Sequence, residues 1–318
     1  MDKTFQEALL TDDPARVAGV PKSDLHSHAL LALPRQEMER WHGSPIRPFR
    51  YEGNGIHDVN RWIIDVYSPV FTRPGAFRAA LTAAFIQARN DGVSLLEMSL
   101  DAGFGELTGI PPREVADTLR SVHRETAPEI DFRPELGFAR PLPLKKLTSL
   151  FAAYLELDYF RAIDLYDDES GQPVGNFKEL YRLARKAGLK CKAHAGEFGT
   201  AASVREAVEM LGLDAVQHGI GAASSPEVMK WLAGKKVPLN ICPTSNVILG
   251  RVKSIRDHPI RILYDYGVKV TVNSDDIMLF GQSVSQEYLN LFRTGVFSAD
   301  ELEEIRQNGL SASKATAS

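Results

Sequence analysis

A repeated order of segments along the chain constrains the fold more than any other feature. From about residue 74, stretches with apolar residues at helical spacing alternate with short strand-like stretches, often with a glycine between them. Helices are predicted at 74–88, 112–127, 142–157, 178–186, 203–211, 226–234 and 259–266, and strands at 93–98, 131–138, 160–165, 189–194, 215–218, 237–242 and 268–273. Strands that alternate with helices predict a parallel sheet, because each helix carries the chain back to the same end of the sheet.

A further short strand at residues 23–28 brings the predicted number to eight, which is typical of an α/β protein with a (β/α)8 TIM barrel. The alternative, an open doubly wound sheet, is less favoured because no GxGxxG turn follows the first strand. A length of 318 residues would suit two average domains, but barrels reach about 250 residues as one unit. Since no repeat or linker divides the sequence, we predict a single domain over residues 1–318.

Residues 30–73 are too long for an ordinary connection between a strand and a helix. The segment is rich in proline, arginine and aromatic residues, including Trp41, Phe49, Tyr51 and Trp62. We expect it to form a helical lid inserted after the first strand, over the mouth of the barrel.

Charge and composition exclude several classes of partner. The 37 basic and 41 acidic residues give a net charge of -4, which disfavours binding to nucleic acid or to a membrane surface. No signal peptide and no apolar run of membrane-spanning length is recognised, so a cytoplasmic protein is expected. The two cysteines, Cys191 and Cys242, are far apart in sequence, as expected for free thiols in a reducing compartment.

Four of the eight histidines (His26, His28, His194 and His218) lie at the carboxyl ends of predicted strands. In a parallel barrel those ends meet at one face, where active sites are built. His26 and His28 are two residues apart on a strand, so their side chains project to the same side and can bind one ion. Taken alone, they would be interpreted more readily as a pair of exposed loop histidines.

The fifth and eighth strands bring further polar groups to this face. Gly196 and Glu197 follow His194, and the glycine allows close approach of the backbone to a ligand. In isolation, His194 would be interpreted as a core histidine. Asp275 and Asp276 end the eighth strand beside the first one, and in isolation they would suit a helix N-cap or an Asx turn.

Three imidazoles and one carboxylate are a ligand set that suits a single Zn²⁺ with a position left for water. A structural zinc would more often use thiolates, and neither cysteine neighbours these histidines in the sequence.

Residues at the ends of the sixth and seventh strands complete the candidate site. His218 offers another imidazole, although a hydrogen-bonded core histidine is the alternative. Cys242 as a nucleophile is disfavoured, because a metal-activated water is the stronger candidate. Ser245 and Asn246 are expected to hydrogen-bond to the metal-binding carboxylate without contacting the metal themselves.

Five short motifs, taken together, resemble the adenosine deaminase family, which belongs to the mononuclear-zinc amidohydrolases. They are Asp-Leu-His-Ser-His at 24–28, His-Ala-Gly-Glu at 194–197, Gln-His-Gly at 217–219, Cys-Pro-Thr-Ser-Asn at 242–246 and Ser-Asp-Asp at 274–276. Their order and spacing match the family, and the combination is specific even though each motif alone is weak.

The resemblance implies a zinc-dependent hydrolytic deaminase of adenosine or a related aminopurine, in which a zinc-bound hydroxide attacks the ring and ammonia leaves. It implies one zinc ion per chain, held by His26, His28, His194 and Asp275. Glu197 would donate a proton to the ring nitrogen beside the attacked carbon. His218 and Asp276 would orient the hydroxide and the ring.

Two departures from the family pattern bear on the substrate. Leu30 stands where the family has an aspartate that contacts the sugar, and Asp167 replaces a glycine whose amide meets the purine. Both residues are therefore expected to line the substrate site. An uncharged aminopurine with an apolar or modified substituent is favoured, and the acidic run at 167–169 is expected to repel nucleotides such as AMP.

Two other functions stay open from the sequence: a related hydrolase acting on another heterocycle, C–N bond or ester, and a zinc-binding protein without catalysis. Binuclear relatives need a lysine at the end of the fourth strand, and the Asp-Leu-Tyr at 164–166 offers none. The presence of Glu197, His218 and Asp276 argues against a purely binding role. The oligomeric state and the physiological substrate are not indicated.

Overall fold

The computed structural model describes residues 4–312 and shows eight parallel strands, in sequence order, around a nearly closed barrel. The predicted (β/α)8 TIM barrel is therefore confirmed. The strands are β1 (Lys22–Asp24), β2 (Val93–Asp101), β3 (Asp131–Ala139), β4 (Ala162–Tyr166), β5 (Lys190–Ala195), β6 (Ala215–His218), β7 (Leu239–Ile241) and β8 (Val270–Val272).

Helices connect and surround these strands. The α-helices are α1 (Thr4–Leu10), α2 (Pro14–Ala18), α3 (Arg35–His42), α4 (Ile56–Trp62), α5 (Ala76–Asn90), α6 (Phe104–Thr108), α7 (Pro112–Thr126), α8 (Leu144–Leu155), α9 (Lys178–Lys186), α10 (Ala201–Leu211), α11 (Pro226–Lys235), α12 (Pro243–Ile248), α13 (Ile260–Asp265), α14 (Ile277–Phe280), α15 (Val284–Arg293) and α16 (Ala299–Leu310). A π-helix covers Ile63–Tyr67, and 3₁₀ turns cover Ser68–Thr72, Val174–Phe177, Ile220–Ser224 and Ile255–Asp257. Within residues 4–312, no helix combines the length and the apolar character needed to cross a membrane.

The seven predicted helices agree with the observed ones to within two residues at each end, because N-cap residues, prolines and glycines mark several of their boundaries. The Ser225 hydroxyl accepts a hydrogen bond from the Val228 amide at the start of α11, as expected of an N-cap residue. The sequence predicts that this helix ends at residue 234, a glycine, and that end is one residue too early. The helix continues to Lys235, and Lys236 takes the left-handed conformation at φ 57. A glycine inside a helix costs only about 1 kcal/mol relative to alanine, so packing can carry the helix through it.

The barrel closes where the first and last strands meet, and we call residues 24–28 and 273–275 the seam. Regular pairing of β1 ends at Asp24, four residues before the predicted end, and Ser27 then forms an isolated bridge with Asp275. Side chains supply the remaining connections. The Asn273 side-chain carbonyl accepts a hydrogen bond from the Leu25 amide at 2.8 Å, and the Ser274 hydroxyl donates to Asp24.

The segment 30–73 contains α3, α4, the π-helix and a 3₁₀ turn, and it reaches the end of β4, where Asn60 Nδ2 donates a hydrogen bond to Asp167 Oδ1. Its aromatic residues anchor it: Trp62 Nε1 donates to the Arg47 carbonyl at 2.8 Å, and the Tyr67 hydroxyl donates to the Leu30 carbonyl at 2.7 Å. Trp62 and Tyr67 are buried and stack on each other. That this segment forms a lid over the mouth of the barrel stays a prediction.

Helices α14 to α16 follow the barrel and were not predicted from the sequence, although their signals are present. Ser283 and Ser298 each form a capping box with the residue three positions later. Helix α16 packs across β1 and β8, where Gly309 meets Ser23 so closely that a Cβ on the glycine would lie 2.0 Å from the serine oxygen. This helix therefore covers β1 and β8 next to the seam.

Candidate active site

The strand ends bring three imidazoles and a carboxylate into one cluster. The ligand atoms of His26, His28 and His194 all lie within 4.8 Å of one another. His26 Nε2 is 3.1 Å from His194 Nε2. Asp275 Oδ1 lies 3.6 Å from His28 Nε2 and 4.0 Å from His26 Nε2. The structure thus assembles the four predicted metal ligands at the seam and the end of β5.

Hydrogen bonds behind the cluster orient two of the rings. His26 Nδ1 faces the Asn240 carbonyl oxygen at 3.1 Å, and His194 Nδ1 faces the Asp164 carboxylate at 3.3 Å. An imidazole that donates from Nδ1 to such an acceptor leaves its Nε2 lone pair free for a cation. Both rings are therefore turned so that Nε2 points into the cluster.

Burial and neighbouring charges shift the pKa values of these two rings in opposite directions. Burial and the nearby histidines lower the pKa of His26, which keeps the ring neutral. Burial also lowers the pKa of His194, but Asp164 outweighs this effect and raises the pKa to about 9. A cation that binds here must therefore displace a proton from His194.

Glu197 and His218 stand beside the cluster. His218 Nε2 lies 3.5 Å from Glu197 Oε2 and 3.9 Å from Asp275 Oδ2. Burial and the charge of Asp275 raise the pKa of Glu197 to about 8, so this carboxyl group holds its proton at neutral pH. Asp276 is buried too, and its Oδ1 has no hydrogen-bond partner within residues 4–312.

The backbone is strained at two of these positions. His218 has φ 60 and Asp275 has φ 57, so both lie in the left-handed region, which side-chain-bearing residues rarely adopt. Such strain persists where the surrounding structure imposes it, and it clusters at functional sites.

Ser245 and Asn246 do not hold the carboxylate of Asp275, and that prediction is corrected. The Asn246 amide instead lies between two histidines, with Nδ2 at 3.1 Å from His218 Nδ1 and Oδ1 at 3.1 Å from His258 Nε2. Ser245 is buried, and its hydroxyl has no partner within the described chain. The sequence analysis missed His258, for which the only local signal is a histidine directly before the proline that precedes α13.

Cys242 lies beneath the cluster, with Sγ 3.4 Å from His26 Nδ1. Burial raises the pKa of this thiol, so the thiolate needed for nucleophilic attack or metal binding is disfavoured.

Glu169 holds the loop that carries Glu197, and the sequence analysis did not single out this role. Its carboxylate accepts hydrogen bonds from the amides of Gly196, Glu197 and Phe198 at 2.7, 2.8 and 2.8 Å. Gly196 was expected to approach a substrate, but its amide is occupied by Glu169. Its φ is 72, and a Cβ there would lie 2.3 Å from a methyl group of Val204, so packing against α10 requires the glycine.

Glu169→Gln is expected to destabilise the fold by about 1–3 kcal/mol, because one buried amide of the loop would face an NH₂ group instead of an oxygen. The measurement is urea unfolding, with the exposed Glu156→Gln as the control. Equal unfolding midpoints for the two variants would contradict the role of Glu169.

A cavity of about 240 Å³ opens beside His28. It is lined by His28, Ala29, Leu30, Leu31, Asn60, Ile63, Tyr67, Ser68, Phe71, Ser99, Leu100, Asp101, Gly103, Phe104, Leu107, Ala139, Tyr166 and Asp167. Leu30 and Asp167 both line it, and that this cavity receives the substrate stays a prediction. None of these described lining residues is a lysine or an arginine.

Asp167 adopts a left-handed backbone conformation, which glycine takes more readily than other residues. Its φ is 78, and its Oδ1 accepts hydrogen bonds from Asn60 Nδ2 and from the Asp168 amide, each at 2.7 Å. Asn60 belongs to α4, so Asp167 ties the inserted segment to the end of β4.

Comparison with known proteins agrees with this geometry. The adenosine deaminase family model matches residues 58–318. The chain belongs to the adenosine deaminase family. As a member of this family, it is a hydrolase that acts on C–N bonds, and the resemblance drawn from the five motifs is confirmed.

Individual adenosine deaminase relatives cover nearly the whole chain. A putative adenosine/adenine deaminase from Treponema pallidum is 32% identical over 285 residues, which are 90% of this chain and 95% of the relative. The adenine deaminase structure from Arthrobacter aurescens is 26% identical with a TM-score of 0.77, covering 94% of this chain and 95% of that one. A Burkholderia ambifaria amidohydrolase structure with bound Zn shares the fold, with 23% identity and a TM-score of 0.81 over 98% of this chain and 88% of that one.

Proposed function

We propose that the protein is a zinc-dependent hydrolytic deaminase of an aminopurine that carries an uncharged substituent. The convergence of His26, His28 and His194 opposite Asp275, next to Glu197, is the observation that supports this most strongly. The cavity that begins at His28 offers room for the substrate. Two relatives bear the names adenosine/adenine deaminase and adenine deaminase, which supports an aminopurine.

The donor set fits a zinc ion. With Nδ1 directed at acceptors behind them, His26 and His194 turn their Nε2 atoms toward each other at 3.1 Å. A cation bound between these two atoms would take the place of the proton that His194 holds there. We propose His26, His28, His194 and Asp275 as the ligands, a set that matches the preference of zinc for imidazole and carboxylate. When bound, zinc would supply a water molecule with its pKa lowered toward about 7.

The chain's own residues would then handle the purine. Glu197 holds a proton and would donate it to the ring nitrogen beside the amino-bearing carbon, which makes that carbon more electrophilic. His218 would hydrogen-bond to the attacking oxygen, and the free Oδ1 of Asp276 would accept a hydrogen bond from the reacting groups. In the overall reaction, water adds to the carbon, the amino group leaves as ammonia, and a ring carbonyl remains.

The cavity favours an uncharged substituent on the purine. Leu30, Ile63, Phe71 and Leu107 give it apolar walls, and the described lining contains no cation that would balance a phosphate. The Asp101 carboxylate lies in the same wall, where it accepts hydrogen bonds from the Tyr166 hydroxyl and the Gly103 amide. Anionic substrates are therefore disfavoured.

The function is tested by measuring ammonia release and kcat/KM for adenosine, adenine, AMP and aminopurines with apolar substituents. Adenosine should be a poor substrate, because Leu30 cannot make the charge-assisted hydrogen bond to the sugar, worth about 1.5–3 kcal/mol. That difference is about one to two decades in kcat/KM. AMP should be worse, because nothing in the described lining balances its phosphate.

Leu30→Asp is expected to raise kcat/KM for adenosine, and Leu30→Asn, of equal size but uncharged, controls for the change in shape. A wild-type kcat/KM for adenosine of about 10⁵ M⁻¹s⁻¹ or more would contradict the substrate proposal. Absence of ammonia from the whole panel would contradict deamination itself.

A further inference from the structure

We propose that Asn246 and His258 are positioning residues that fix the tautomer of His218, so that its Nε2–H points toward Glu197 and Asp275. The inference rests on the proposed function, in which His218 contacts the reacting groups. It assigns a task to two buried side chains that take no direct part in the chemistry.

The first step concerns His258, which is buried where the chain enters α13. The Ile260 amide donates a hydrogen bond to His258 Nδ1 at 3.1 Å. A backbone N–H can only donate, so Nδ1 must carry a lone pair. Burial lowers the pKa of His258 to about 3, in keeping with a neutral ring whose single proton is on Nε2.

The second step concerns the orientation of the Asn246 side-chain amide. His258 Nε2 lies 3.1 Å from Asn246 Oδ1, and its proton makes that nitrogen the donor. The amide oxygen of Asn246 must therefore face His258, which turns Nδ2 toward His218. The Asn246 backbone is fixed as well, because its carbonyl accepts from the amides of Arg251 and Val252 at 2.8 and 3.1 Å.

The third step sets the proton on His218. Asn246 Nδ2 lies 3.1 Å from His218 Nδ1 and can only donate, so Nδ1 of His218 carries a lone pair. The proton of the neutral ring then sits on Nε2, which faces Glu197 Oε2 at 3.5 Å and Asp275 Oδ2 at 3.9 Å. A second proton on Nδ1 would point at the Asn246 NH₂ group, so the same contact disfavours the imidazolium.

An amide is well suited to this task because it accepts at one end and donates at the other. The opposite tautomer of His218 would direct a lone pair toward the Asp275 carboxylate, where an N–H is the complementary group. The chain of hydrogen bonds from the Ile260 amide through His258 and Asn246 therefore determines whether His218 presents an N–H or a lone pair to the reaction centre.

The test is ¹⁵N NMR of the full chain labelled at histidine, since long-range ¹H–¹⁵N spectra distinguish Nε2–H from Nδ1–H rings. His218→Gln identifies the His218 signals. The wild-type ring is expected as Nε2–H. In Asn246→Asp, of equal size, both side-chain oxygens accept, so His218 should become Nδ1–H or doubly protonated. His258→Leu removes the donor to the amide and should give mixed tautomers, whereas His258→Gln keeps an N–H donor and should restore Nε2–H.

Activity gives the second measurement. Asn246→Asp and His258→Leu are expected to lower kcat by about 10- to 100-fold, the range for losing a partner that orients a site residue. KM and bound metal should change little, and His258→Gln should recover most of kcat. If Asn246 and His258 had only a structural role, kcat would not change in parallel with the tautomer of His218.

The outcomes separate this proposal from the proposed function. A wild-type His218 in the Nδ1–H form, or an Nε2–H ring that persists in both Asn246→Asp and His258→Leu, overturns the proposal. If one variant does not fold, the wild-type spectrum and the other variant still decide it. Tautomers that shift as expected in a chain that deaminates no aminopurine would support the positioning role and reject the function.

Discussion

Glu197→Gln is expected to lower the turnover of an aminopurine by about 10²–10⁴-fold while leaving metal content and fold unchanged. Glutamine has the same shape but no carboxyl proton to give to the ring nitrogen. The side chain of Glu197 does not hold its loop in place, because the loop bonds to Glu169 and Arg251 through backbone atoms. The effect should therefore appear in kcat and not in the unfolding midpoint.

Steady-state kinetics with metal analysis of the same preparations measures this effect. Glu206→Gln is the matched control, since Glu206 is an exposed glutamate on the neighbouring helix α10. Turnover of Glu197→Gln within a few-fold of the wild type would reject the role of Glu197 as proton donor.

Asp275→Ala is expected to deplete the chain of zinc and to abolish most activity. Wild-type protein should hold one zinc per chain, and loss of a ligand should weaken zinc binding by more than the 10- to 100-fold that follows loss of an outer partner. Zinc should also stabilise the wild type against unfolding, by about 2.7 kcal/mol at a free concentration of 100 Kd. That stabilisation should disappear in the variant.

The readouts are elemental analysis and thermal unfolding with and without added zinc. Asp275→Asn tests the carboxylate charge without disturbing the left-handed backbone, because asparagine tolerates that region. Asp265→Ala on α13 is the surface control. Two equivalents of zinc in active wild-type protein, or none, would count against the proposed site.

The sequence predicted the helices and most strands well because local residues specify them. Prolines open α7 and α11 and a left-handed glycine closes α10, so these boundaries could be placed without tertiary information. β1 was predicted too long for the opposite reason. Ser27 and His28 pair only through isolated bridges, with Asp275 and Ser99, and these bridges depend on the finished barrel.

The candidate site was predictable in its residues and less so in its contacts. Histidines at strand ends are visible in the sequence, because the barrel brings those ends together. The partners of Asn246 and Glu169 are not visible, because both reach other loops at distances that depend on the finished fold. An acidic run such as 167–169 is usually interpreted as solvated. Its last residue, Glu169, nevertheless accepts hydrogen bonds from the three backbone amides of residues 196–198.

Because the proposed metal site lies at the seam, it can form only late in folding. His26 and His28 leave the ribosome well before Asp275, so the four proposed ligands can meet only after the strands between them have been made. Contacts between such distant parts of a chain form late, because a long loop must close first. A nascent or truncated chain that lacks β8 would therefore carry the histidines without their carboxylate. Zinc binding would then indicate that the barrel has closed, because the ion would join the first strand to the last.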